Sequence, residues 1–168
     1  MNLDYKSLLP ENFNPESRVW IYQSTRLFNL SEALNIEQKL EEFVQNWKSH
    51  GAVVKGFGTL FFGQFIVLMA DEAQTGVSGC STDSSVRLIK SIEQDTNVSL
   101  FERTNLAFVV KDKVQLLPLN QVQYAVEKGF IGQDTLFFDN SVATKQELEE
   151  RWLTPLKLSW LGKRYSFA

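Results

Sequence analysis

The stretch Ala52–Asp71, AVVKGFGTLFFGQFIVLMAD, decides how the chain is read. Both halves are rich in β-branched and aromatic residues, and they meet around Gly63, a residue that tolerates the backbone of a tight reversal. The pattern predicts two strands joined as a hairpin. Gln64–Asp71 is almost unbroken apolar, so it is predicted to be a central strand covered on both faces. The GFG within the first half holds two of the three glycines of a dinucleotide loop. It lies inside a strand pattern instead of opening a helix, so a bulge or a close backbone approach explains it better.

Upstream, Arg18–Gln23 (RVWIYQ) suits a strand, and Asn29–Gly51 then places Ile36, Leu40, Phe43, Val44 and Trp47 at helical spacing. Asn29 or Ser31 can cap that helix, and Gly51 suits its end. Downstream, Val86, Ile89 and Ile92, with Leu88 beside them, predict a second amphipathic helix from about Thr82 to Asn97. Asn105–Val110 and Lys113–Leu119 predict a hairpin around Lys111-Asp112, closed by Pro118. The order from Arg18 to Lys111 is βαββαβ, so the expected class is α+β with a ferredoxin-like core and a mostly antiparallel sheet. Within it, Val19–Tyr22 is expected beside Phe65–Met69, the two running parallel.

The remainder predicts a C-terminal addition: a short helix (Asn120–Gly129), a strand (Thr135–Asp139) and a helical tail that starts with a capping box, Thr144 with Glu147. In that tail Leu148, Trp152, Leu156 and Trp160 recur every four residues, although Thr154-Pro155 should kink or restart the helix. The stripe is expected to pack on the domain's own sheet or to form a homodimer with a second chain. Residues 1–17, with Pro10 and Pro15, read as an N-terminal arm, and 18–168 as one α+β domain.

With 43% hydrophobic and 12% aromatic residues the chain can build a sizeable core. A net charge of −3 without any long run of like charge gives no footing for nucleic acid. The first residues lack the basic start and apolar run of a signal peptide, and Leu60–Ala70 is far short of the ~20 residues that span a bilayer. A single cysteine suits a reducing interior, so the expected location is the cytoplasm. One His and one Cys cannot furnish a zinc site, and His50, expected at the end of the first helix, is a poor candidate for a catalytic base. No G-x-x-x-x-G-K-[ST] occurs; the nearest fragment is Leu161–Arg164, LGKR, which excludes a P-loop nucleotidase.

One stretch, Gly76–Arg87 (GVSGCSTDSSVR), has a chemical signature. Ser81, Thr82, Asp83, Ser84 or Ser85 can cap the second helix, whose first N–H groups lack internal partners. The same donors, with Arg26 or Arg87, could hold a small anion, and Asp71, Glu72 and Asp83 could admit Mg²⁺ between them. Cys80 reads either as a small packed hydrophobe or as a thiolate activated by the helix start.

Three segments, Val19–Phe28 (VWIYQSTRLF), Gly63–Glu72 (GQFIVLMADE) and Val77–Arg87 (VSGCSTDSSVR), carry a resemblance that covers nearly everything after the arm. They resemble a family of short bacterial proteins sometimes labelled ABC-transporter ATPase. The resemblance implies a bacterial protein with no assigned activity, and no residue role is carried over from it. The leading expectation is a cytoplasmic, non-catalytic module that binds a small anionic ligand or a protein partner. A small enzyme using the carboxylates with a metal, or Cys80, is the alternative, and a structural subunit the second. No cofactor is required by the residues.

Overall fold

The structure is a computed structural model that describes residues 1–167, with Cys80 described by its backbone alone. It is α+β, with antiparallel sheets, and the chain divides into two compact units. The N-terminal unit comprises Asp4–Glu102 and Ala143–Leu148; the C-terminal unit comprises Met1–Leu3, Arg103–Val142 and residues 149–167.

The N-terminal unit is built from β1 (Arg18–Gln23), α1 (Leu30–Asn46), the short β2 (Lys48–Ser49) and β3 (Ala52–Val53), β4 (Lys55–Phe61), β5 (Phe65–Asp71) and α2 (Gly79–Thr96). The predicted hairpin forms, with Phe62 and Gly63 both at positive φ (55° and 63°), the turn geometry that matches strand twist. Every residue of β5 is buried, and it is the middle strand of the order β1-β5-β4. On one face Ile66 and Leu68 pack with Ile36 and Leu40 of α1 and Ile89 and Ile92 of α2. Each such side chain contributes about 1.5–3 kcal/mol by leaving water.

Close packing of α1 on β4 explains the GFG. A Cβ at Gly56 would lie 2.7 Å from the Trp47 ring that follows α1, and one at Gly58 3.4 Å from Val44 Cγ2 and 3.5 Å from Leu40 Cβ of α1, so these glycines admit the helix against the strand. Trp47 also stacks near Phe43, with ring centroids 5.0 Å apart.

Several expectations are corrected here. β1 neighbours β5 as predicted, but antiparallel, with Arg18 opposite Ala70 and Gln23 opposite Phe65. The reason is connectivity: α1 carries the chain back so that β4 runs in the direction of β1, and the tight turn at Phe62-Gly63 then reverses β5. The fourth strand of a ferredoxin-like sheet is missing from this one, because Asn105–Val110 pairs in a separate sheet. Helix α1 stops at Asn46, and His50 and Gly51 (φ 51° and 81°) form the turn between β2 and β3 instead of the helix end. Residues 4–17 pack within the N-terminal unit. Tyr5, Leu9 and Phe13 are buried, the Tyr5 ring meets Phe61 edge-on at 5.9 Å, and its hydroxyl donates to the Leu148 carbonyl at 2.6 Å.

In the C-terminal unit β6 (Asn105–Val110) and β7 (Lys113–Pro118) form the predicted hairpin over Lys111 and Asp112, both at positive φ. After α3 (Val122–Glu127), β8 (Leu136–Phe138) joins β6. The chain then runs through α4 (Lys145–Arg151), which begins beside the Thr144 hydroxyl that accepts from Glu147 N–H, and returns as β9 (Leu153–Pro155) against β8. The sheet order is β7-β6-β8-β9, and Phe108, Val122, Ala125, Ile131, Phe137, Leu156 and Leu161 form its core.

The helical tail, expected to kink or restart at Thr154-Pro155, is thus corrected to a short helix followed by a strand. Proline at 155 disfavours helical backbone at Thr154, so the chain extends and pairs with β8. Leu148, Trp152 and Leu156 are fully buried, and only Trp160 of the expected stripe is exposed.

Candidate functional site

The start of α2 lies one turn earlier than the sequence predicts. Ser78 is its N-cap and forms a reciprocal capping box with Ser81, whose own hydroxyl accepts from Ser78 N–H at 2.8 Å. The remaining hydroxyls are spent on the helix itself. Ser81 and Thr82 donate to Ser78 O, Ser84 to Ser81 O at 2.8 Å and Ser85 to Thr82 O at 2.6 Å. Such back-bonding to carbonyls one turn earlier is the ordinary alternative to presenting a hydroxyl to a ligand. Asp83 and Arg87 are exposed on the outer face. The side chain of Cys80 lies outside the described residues.

The two carboxylates at the end of β5 are engaged as well. Asp71, buried, accepts from the N–H groups of Asn14 and Ala73, each at 3.0 Å, and Lys55 Nζ approaches to 3.5 Å. Those two backbone donors, and secondarily the ammonium, hold its pKa below the ordinary carboxylate value against the opposing effect of burial. Glu72 accepts from Val77 N–H at 2.8 Å and faces Arg18 at 3.7 Å. Among the described residues no group of three His, Cys, Asp or Glu side chains is placed to hold a metal ion.

Arg26 is the clear departure from the expected site. Since β1 runs antiparallel to β5, the chain leaving β1 emerges at the opposite edge of the sheet from Asp71. There Arg26 makes a two-point pair with Glu32 at 2.8 and 2.9 Å and donates to Thr96 O at 2.6 Å, tying the first turn of α1 to the last of α2. The guanidinium, followed by the Asn29 N–H, pushes the Glu32 pKa down to about 2.

Asp71 therefore acts as a structural clamp on residues 14 and 73, and its replacement has a signed pH dependence. A carboxylate whose folded pKa lies below its unfolded one stabilises above the unfolded value, and that contribution fades as pH falls through the folded value. Asp71→Asn is expected to cost about 2 kcal/mol at pH 7, the scale of hydrogen bonds to a charged group. The deficit relative to the parent should narrow as pH falls below ~4, where the unfolded parent takes up a proton that the folded carboxylate still resists, until the folded group is protonated too. Urea unfolding at pH 7 and pH 3 measures both; a deficit that stays constant between them would contradict the clamp.

One cleft in the C-terminal unit has a largely apolar lining. It measures about 580 Å³ and lies between the outer half of the β6–β7 hairpin and the turn after α3, floored by Val110, Leu117, Ala125 and Ile131. Phe130 stands at its wall with 63% of its surface exposed, and Tyr124, also exposed, lies beside it with ring centroids 6.3 Å apart. Lys111 and Lys113 line the other rim, and neither is ion-paired among the described residues. Asp112 between them faces the amino group of Met1 at 3.6 Å.

The chain matches no family model, no curated protein and no solved structure. None of the groove residues was singled out by sequence reasoning as a site. The available signals were the paired lysines of VVKDKVQLL and the two large apolar residues held between glycines in GFIG (Gly129–Gly132). Both also suit an ordinary hairpin and loop, and only the fold brings them to one groove.

Proposed function

We propose that the protein is a cytoplasmic, non-catalytic binding module whose partner is another protein, seated in the groove beside β7. The observation that carries this reading is Phe130, left 63% exposed beside an apolar floor and across from two unpaired lysines. An aromatic anchor in an apolar pocket with charge at the rim is the usual anatomy of a binding hot spot. Fully covering such a ring contributes about 1.5–3 kcal/mol, whereas leaving it in water stabilises nothing. A small-anion site at α2 has weaker support, since the hydroxyls there already donate to carbonyls. The lone cysteine and the absence of any helix among the described residues that could cross a membrane accord with the cytoplasmic placement.

The test is photocrosslinking in the cell that makes the protein. Phe130→p-benzoylphenylalanine and Gln115→p-benzoylphenylalanine are expected to give one discrete protein adduct, identified by mass spectrometry, whereas the same replacement at exposed Asp83 gives none. Adding Lys111→Glu and Lys113→Glu should cut the yield by about tenfold, because reversed rim charge opposes an acidic partner. Adducts equally strong at Asp83, or none from the groove positions, would remove the reading.

A further inference from the structure

We infer that the partner enters as an added strand: an extended segment, apolar at alternate positions and acidic at one end, pairs antiparallel with β7 along the open edge of the sheet. The inference rests on the groove being the partner surface and adds how and by what chemistry it is filled.

The edge itself is legible from the hydrogen-bond ladder. Among the described residues, β7 has β6 on one side and no strand on the other. Leu119 N–H donates to Thr104 O at 2.8 Å, and bonded pairs alternate in an antiparallel ladder. The bonded pairs are therefore Leu106 with Leu117, Phe108 with Gln115 and Val110 with Lys113, all in the observed register. Val114 and Leu116 consequently aim their N–H and C=O groups away from β6. The Leu116 carbonyl receives only the exposed Gln115 amide, at 3.3 Å, a long contact that a competing strand can displace. Pro118, without an N–H, ends the edge at one side and the Lys111-Asp112 turn ends it at the other. The opening takes about five residues, the length of an ordinary strand.

Residue alternation then sets the chemistry. Lys113, Gln115 and Leu117 share the face that forms the groove, so the residues opposite them on an added strand point into it. Those opposite Leu117 and Gln115 would lie over an apolar floor beside Phe130 and Ile131, and must be apolar. The residue opposite Lys113 meets an ammonium group without an ion pair among the described residues and must be acidic; the one after it falls at the Lys111-Asp112 turn, where a carboxylate can turn towards Lys111. Read antiparallel to β7, the segment runs apolar-x-apolar-x-acidic. Strand addition of this kind draws affinity from main-chain bonds and specificity from alternate side chains. A second copy of β7 fits less well, because pairing antiparallel over the same five positions it would set its lysine over the apolar end, opposite Leu117, and bring no carboxylate to the lysine rim.

The probe is an acetylated, amidated and fluorescein-labelled peptide of sequence VTVTEE, measured by fluorescence anisotropy against the whole chain. Binding in the range of about 10–300 µM is expected for so short a strand. VTVTKK should bind at least about tenfold more weakly, and so should VTVTEE when tested against the Lys111→Glu, Lys113→Glu variant, which alters only exposed side chains. N-methylation of both threonines, which face the open N–H and C=O groups of Val114 and Leu116, should abolish binding. In the complex the amides of Val114 and Leu116 should become protected from hydrogen exchange. Binding that survives N-methylation, or that leaves those two amides unprotected, overturns strand addition while the crosslinks at Phe130 still judge the groove. No binding at about 1 mM overturns the inferred chemistry in the same way.

Discussion

Trp152→Ala is expected to destabilise the protein by about 4 kcal/mol, within the 3–5 kcal/mol that truncating a buried aromatic costs. The side chain is fully buried, and within the C-terminal unit it meets Phe138 edge-on with ring centroids 5.4 Å apart. Its indole N–H donates to Asn140 Oδ1 at 2.9 Å. Truncation removes the ring, opens a cavity beside Phe138 and takes away a donor, three losses that the surrounding strands can only partly relax to fill. Trp152→Phe keeps most of the volume and loses the donor, so it should cost less than half as much. Urea unfolding followed by far-UV circular dichroism, with the midpoint and slope compared between variants, gives the numbers. A loss below about 1 kcal/mol for the alanine variant would show that the site is not packed as described.

Gly162→Ala should be nearly as damaging, although it adds a single methyl. A Cβ at this position would fall 1.9 Å from the Leu156 carbonyl oxygen and 2.7 Å from its carbon, both of them backbone atoms that cannot swing aside. The segment is pinned from several directions: Ser159 Oγ donates to Leu156 O at 2.7 Å and accepts from Gly162 N–H at 3.1 Å. Relief requires Leu156 to leave a core that includes Phe108 and Phe137, which puts the cost at about 3 kcal/mol, the upper range for overpacking. Gly132→Ala is the control, because its added methyl meets nothing within 4 Å, and it should stay within about 0.5 kcal/mol of the parent. Equal stabilities for the two variants would mean that the close approach at Gly162 is absent.

This glycine illustrates how chemistry and structure separate in the chain. In the sequence it belongs to LGKR, a fragment that fails as a phosphate loop and carries no further message. In the fold it is where the backbone after β9 passes over Leu156. The hydroxyl-rich run at α2 shows the complementary case. Its composition suits both a cap and a ligand site, and the geometry assigns its hydroxyls to carbonyls of the same helix.

What the sequence determined by itself is what neighbouring residues decide. The hairpin around Gly63, a cap for α1 at Asn29 or Ser31, of which the fold uses Asn29, the turn at Lys111-Asp112 and the complete burial of β5 all follow from turn chemistry and apolar periodicity within a few residues. Tertiary structure alone decided which edge of the sheet Arg26 joins, because strand direction depends on the whole β1–α1–β4–β5 path. It alone turned the tail from a helix into β9, since extended backbone before Pro155 becomes a strand only when β8 supplies the partner. It buried Tyr5, Leu9 and Phe13, whose spacing in a proline-containing segment has no periodicity to betray them. And it assembled the groove, because Val110, Leu117 and Phe130 come together through packing of a loop on a sheet, a contact between distant positions that no local pattern encodes.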